Sequence, residues 1–139
     1  MSHLANASTP PRSQAITRQV LGGLMTFAGA SHLTFARKEF RAQVPSWVTV
    51  DTDLVVLASG VVEMGLGLST LLLPRQRRTT GLTLAAFYVA IFPGNIGQYV
   101  ERTDGFGLDT DMKRLLRLFG QPALIAAALW AAGLPERGR

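Results

Sequence analysis

The chain has 139 residues, the length of one domain, and carries a net charge of +5 with a pI near 10.7. Cysteine is absent, which excludes disulfides, thiolate metal sites, covalent haem attachment and thiol relays. Basic charge alone would fit nucleic acid, but no compact basic stripe with interleaved aromatics is present, and basic loops at a lipid surface account for it more simply.

Residues 1–12, ending in Pro10-Pro11-Arg12, are polar and read as a disordered tail. An apolar block then runs from Val20 to Ala36. A secretory signal peptide cleaved near Ala30 is the rival reading. Its leader would be long, its core would hold Gly, Thr and His, and three more apolar blocks follow.

Residues 37–53 form a mixed connector in which Pro45 breaks any continuous helix. Phe40, Val44, Trp47 and Val48 are spaced for a short segment lying in the membrane interface, with Trp47 at headgroup level. The second block, Leu54 to Leu73, is long enough to cross a bilayer and contains one charge, Glu63. A carboxylate at that depth costs about 2.5–3.5 kcal/mol on insertion scales, so it is expected to face a protein interior and a partner. Residues 74–78, a basic turn, predict that the second and third helices pack as antiparallel neighbours.

The third block runs from Thr79 to Tyr99 and contains Pro93, which removes the hydrogen bond to the carbonyl of Val89. Residues 101–111 form a polar loop. The fourth block extends from Met112 to Leu134, where Pro135 stops it. Small residues Gly22, Thr26 and Ala30 share one helix face, as do Ser59, Glu63 and Gly67, and both faces suit close helix contact in lipid. The expected fold is all-α: a four-helix transmembrane bundle over residues 13–135, with the interfacial segment between its first and second helices.

If the helices alternate in direction, His32, Asn95 and Arg117 lie about 6–8 Å below one surface, and Glu63 and Gln121 about 12–15 Å below it. His32, Glu63, Asn95, Arg117 and Gln121 therefore fall in the same half of the bundle. They form a polar pocket, or a structural cluster that holds the helices in register. Arg117 is the one always-charged partner within reach of Glu63. One His and one Glu do not make a zinc or haem set, and no phosphate loop or nucleophile motif is present. Neither catalysis nor a cofactor is predicted from the residues.

Several short stretches resemble the DoxX family of small bacterial membrane proteins. Residues 28–33 carry Gly29 and His32 in that family's Gly-x-x-His spacing, with Phe35 one place later than its usual aromatic. Val44-Pro45-Ser46-Trp47 is similar to its Val-Pro-x-Trp connector. Ser59-Gly60 with Glu63 and Gly67 resembles its Ser-Gly-x-x-Glu-x-x-x-Gly helix. Phe92-Pro93-Gly94-Asn95 resembles its Phe-Pro-Ala-Asn break. Arg117, Gln121 and Pro122 match an Arg-Leu-Pro-x-Gln-Pro segment in which Phe119 replaces the first proline.

The resemblance implies a four-helix bundle in a bacterial plasma membrane, and a link to redox or stress systems in which quinone is a conceivable ligand. The function expected is a non-catalytic membrane subunit of a redox partner, with a small-solute transporter and an assembly factor as rivals. Partners expected are the bilayer and a redox enzyme or a second copy of the chain, and no nucleic acid. Both termini are expected on the cytoplasmic side, from Arg75, Arg77 and Arg78 packed into one short turn.

Overall fold

Pro11 starts the first helix. Its carbonyl accepts from the N–H groups of Gln14 (3.0 Å) and Ala15 (3.2 Å), and α1 runs over Arg12–Leu33. In the computed structural model, which describes residues 9–105 and 107–135, the remaining elements are α2 (Arg37–Arg41), α3 (Thr52–Leu72), a 3-10 turn at Pro74–Gln76, α4 (Arg77–Val100) and α5 (Asp111–Ala131). The described residues are helices and loops, with no strand among them. Of the expected tail, residues 1–8 lie outside the described residues and Arg12 is already helical.

Local chemistry sets the helix ends. Asp51 caps α3 by accepting from Leu54 N–H (3.0 Å), and Thr110 caps α5 by accepting from Lys113 N–H (3.2 Å). α5 stops at Ala131, before the predicted Leu134. Gly133 adopts φ +92°, and the N–H groups of Gly133 and Leu134 return to the carbonyls of Trp130 and Leu129, both at 3.0 Å. That is a Schellman cap, and it ends the helix ahead of Pro135. α1 likewise stops at Leu33 and not Ala36, because the chain turns into α2, which Arg37 and Arg41 tie to Asp53 at the head of α3. Pro93 does not end α4, which continues to Val100.

Glycines decide which helices pack most closely. α1 lies antiparallel on α3 along Gly22, Thr26 and Gly29, facing Gly60 and Gly67. On α1 it is Gly29, and not the expected Ala30, that comes closest: a Cβ there would sit 2.5 Å from the backbone nitrogen of Met64, as one at Gly67 would from that of Thr26. α4 and α5 form the second tight pair, with Gly81 against Ala128 and Ala132. α3 and α4, joined by the basic turn, do touch, but more lightly than either of these pairs.

The bundle has two different halves. Leu21, Met25, Leu84, Ala85, Tyr88, Ala128 and Ala131 make an apolar core toward the end that holds Arg18 and Arg77. There Arg18 closes the end of α3 by donating to the carbonyls of Thr70 and Leu71, and Arg77 donates to Gln14 (3.0 Å). Toward the other end the interior is polar.

The outside is apolar on all four long helices. Exposed large side chains run as stripes: Ile16, Val20, Leu24 and Phe27 on α1; Leu54, Val61, Leu68 and Leu72 on α3. Leu82, Val89, Ile96 and Val100 follow on α4, and Met112, Leu116 and Phe119 on α5. By length and composition, two stretches suffice to cross a membrane: Thr52–Leu72 and Pro74–Val100. Arg18, Gln19 and His32 lower the mean hydropathy of α1 below that of these two, as Arg114 and Arg117 do for α5.

Candidate functional site

His32 and Glu63 meet across the α1–α3 seam. Gly60 makes this possible, since a Cβ there would lie 2.6 Å from His32 Cβ. Nδ1 of His32 stands 3.1 Å from Oε2 of Glu63, and both side chains are more than nine-tenths buried. The distance is that of an ion pair, yet Nδ1 makes no aligned hydrogen bond. Ser59, one turn earlier on α3, donates its hydroxyl to Oε1 of Glu63 at 3.2 Å.

The other three predicted residues form a separate cluster. Gln121 is fully buried, and its Oε1 accepts from Arg117 Nη1 (3.1 Å) and from Asn95 Nδ2 (3.3 Å). Its Nε2 donates to the Tyr88 carbonyl at 2.6 Å. That carbonyl is one residue before the one Pro93 frees, so the amide braces α4 just ahead of its proline. Arg117 therefore bonds to Gln121, and the imidazole takes the place by Glu63 that its guanidinium was expected to fill.

Gln121 carries the second cluster. Gln121→Leu removes the partner of three groups at once, and leaving them buried costs about 1–3 kcal/mol. We expect a lower unfolding midpoint in detergent, with Gln121→Glu retaining the contact to Arg117. An unchanged midpoint for the leucine variant would remove the bracing role.

A cavity of about 260 Å³ lies against the first cluster. His32, Glu63 and Ser59 form its polar wall, and Val56, Ile91 and Pro93 lie among its apolar lining. Its cover is the chain between α1 and α3. Phe40 packs its ring on His32, and Val44, Trp47 and Val48 line the space. Trp47 is 69% exposed and stands at the rim.

Glycines let this cover settle on α4 and the loop beyond it. Gln43 sits on Gly94, Pro45 on Gly97 and Ala42 on Gly105. Ser46 adds hydrogen bonds from its hydroxyl (2.6 Å) and N–H (3.2 Å) to Glu101. The segment expected to lie flat in the interface thus folds over the end of the bundle as a pocket wall. The spacing of Phe40, Val44, Trp47 and Val48 marked it in sequence, but nothing in sequence placed it over Glu63.

Among the other buried polar residues, Arg114 and Gln98 stand out and carried no expectation from sequence. Arg114 donates to Asp111 (3.0 Å), to Asp104 and to the Thr103 carbonyl (3.2 Å), and Gln98 donates to that same carbonyl (3.2 Å). Both hold the loop between α4 and α5. The Asp111–Arg114 spacing, one helical turn, was the available signal.

No curated protein and no solved structure matches the chain. One family model does, over residues 21–132, a stretch that contains both polar clusters and the cavity wall. The chain therefore belongs to the family described as a domain of unknown function, DUF8561.

Proposed function

We propose that the protein is a four-helix integral membrane subunit that holds a small ligand beside Glu63 and performs no chemistry of its own. One observation carries this reading: apolar stripes cover all four long helices while His32, Glu63, Asn95 and Gln121 are buried. A water-soluble bundle is arranged the other way round. Large contiguous apolar surface of this kind needs lipid or protein against it. The Gln121 amide bonds on both its oxygen and its nitrogen inside the bundle, as a hydrocarbon surrounding favours.

The polar half closes into an apolar core and does not continue through the bundle. That favours a binding subunit over a transporter, which needs a route to both sides. The five motifs resembling the DoxX family support a redox or stress-response partner. An assembly factor whose polar core is only structural is the remaining rival.

The arginines at positions 12, 18, 75, 77 and 78 cluster at the end opposite the cavity. By the positive-inside rule this end and both termini face the cytoplasm of a bacterial plasma membrane. The cavity then opens on the outer side. A cysteine introduced at Gln76 should resist an impermeant thiol reagent in intact cells, and its labelling would reverse the orientation.

Affinity purification of the full chain from its native membranes tests the function. The reading expects a stoichiometric oxidoreductase, retained with the wild type. Proton or solute flux by the purified protein in liposomes, lost in Glu63→Gln, would replace it with the transporter reading.

A further inference from the structure

Glu63 is the one carboxylate lining the cavity, and no Lys or Arg joins it among the described residues. A carboxylate has about four acceptor positions. Ser59 fills one, and His32 stands at ion-pair distance from the other oxygen without an aligned hydrogen bond. Acceptor capacity therefore remains, in a space where Gln43 is the one further polar side chain and the rest of the wall is mainly valine, proline, isoleucine and two aromatic rings.

Each ligand charge has a different consequence here. An anion would face Glu63 with no permanent cation to offset the repulsion. A neutral apolar molecule would displace water and leave the carboxylate's spare positions unpaired. A cation satisfies them, and its apolar substituents suit the remaining wall. The Phe40 and Trp47 rings add faces that attract positive charge. From this geometry we infer that the cavity binds a small hydrophobic ammonium cation, with Glu63 as counter-ion and Trp47 at the mouth.

The inference rests on the reading of the cavity as a ligand site in a membrane protein, and it adds the ligand's charge. The same ammonium chemistry is carried by free organic amines and by phosphatidylethanolamine headgroups. At about 260 Å³ the space suits a single ring with a compact charged group.

Calorimetry on the full chain in phosphatidylglycerol nanodiscs, with benzyltrimethylammonium as probe, tests it. We expect saturable binding, at least tenfold tighter than for its uncharged carbon isostere neopentylbenzene. Glu63→Gln should weaken the cation tenfold or more and leave the isostere unchanged. Trp47→Leu, at an exposed position where folding is not at stake, should weaken the cation about three- to tenfold. If phosphatidylethanolamine in the discs competes with the probe, the native ligand is lipid-borne. If it does not, a free amine is the ligand, and both results support the site.

Equal binding of cation and isostere, or loss of neither in the two variants, would overturn the cation inference while leaving a membrane ligand site in place. Failure of the chain to enter membranes at all would instead remove the reading beneath it.

Discussion

Gly29→Ala should unfold the seam between α1 and α3, although it adds a single methyl group. The new Cβ would lie 2.5 Å from the Met64 backbone nitrogen and 2.6 Å from the Gly60 carbonyl oxygen. Neither atom belongs to a side chain that can turn away, so the two helices must separate along their whole contact. Overpacking of this kind costs about 1–3 kcal/mol, and a backbone obstacle places it at the upper end. The separation would also carry His32 away from Glu63.

Gly65→Ala is the matched control. It lies on α3 with nothing within 4 Å of its added Cβ, so it gains helix propensity without a clash. Stabilisation of about 0.5–1 kcal/mol is expected there. Unfolding midpoints in mixed detergent micelles should move in opposite directions for the two variants. A matching pair of shifts would show that the seam is looser than described.

Glu63→Leu should be the most damaging single change in the polar interior. It leaves His32 buried with no anionic neighbour, at a cost of about 1–3 kcal/mol for a neutral imidazole and about 3–5 kcal/mol for a charged one. Glu63→Gln keeps an acceptor for Ser59 and a polar group beside the ring, so a loss below about 1 kcal/mol is expected. Combining Glu63→Leu with His32→Leu should restore part of the loss, because the stranded partner is then gone. Full additivity of the two single losses would mean the pair does not interact. Folding of Glu63→Gln also matters for the ligand experiments, since it separates loss of binding from loss of protein.

Much of this arrangement was legible in the chain because membrane-like patterning is simple. One charge inside twenty apolar residues marked Glu63, and small residues at four-residue spacing marked the faces of α1 and α3. Asn95 and Gln121 were legible for the same reason, being amides inside apolar runs. Partner choice was not legible. Arg117 stood out as the natural mate for Glu63 on charge alone, yet helix rotation turns it toward Gln121 and leaves the carboxylate to His32.

The connector was harder still. Its fold over α4 depends on Gly94, Gly97 and Gly105, which lie at least fifty residues from the side chains they admit. No local pattern encodes such a meeting. Gln98 was missed because its partners are loop carbonyls, which leave no trace in residue type, whereas Arg114 left its spacing from Asp111 as a signal. Helix ends slipped by a few residues where a Schellman cap or an early turn overrode continued apolar sequence.

That all four long helices face lipid outward is a proposal, and the absence of cysteine makes it directly measurable. Single cysteines at Leu24, Val61, Val89 and Phe119, one exposed apolar position on each helix, would carry a nitroxide label in reconstituted protein. Collision with oxygen, which concentrates in hydrocarbon, is compared with collision with a water-soluble nickel chelate. All four labels should favour oxygen and be shielded from nickel. Labels at Leu24 and Phe119 that meet nickel freely, while those at Val61 and Val89 do not, would contradict it and leave a chain that crosses the membrane only twice.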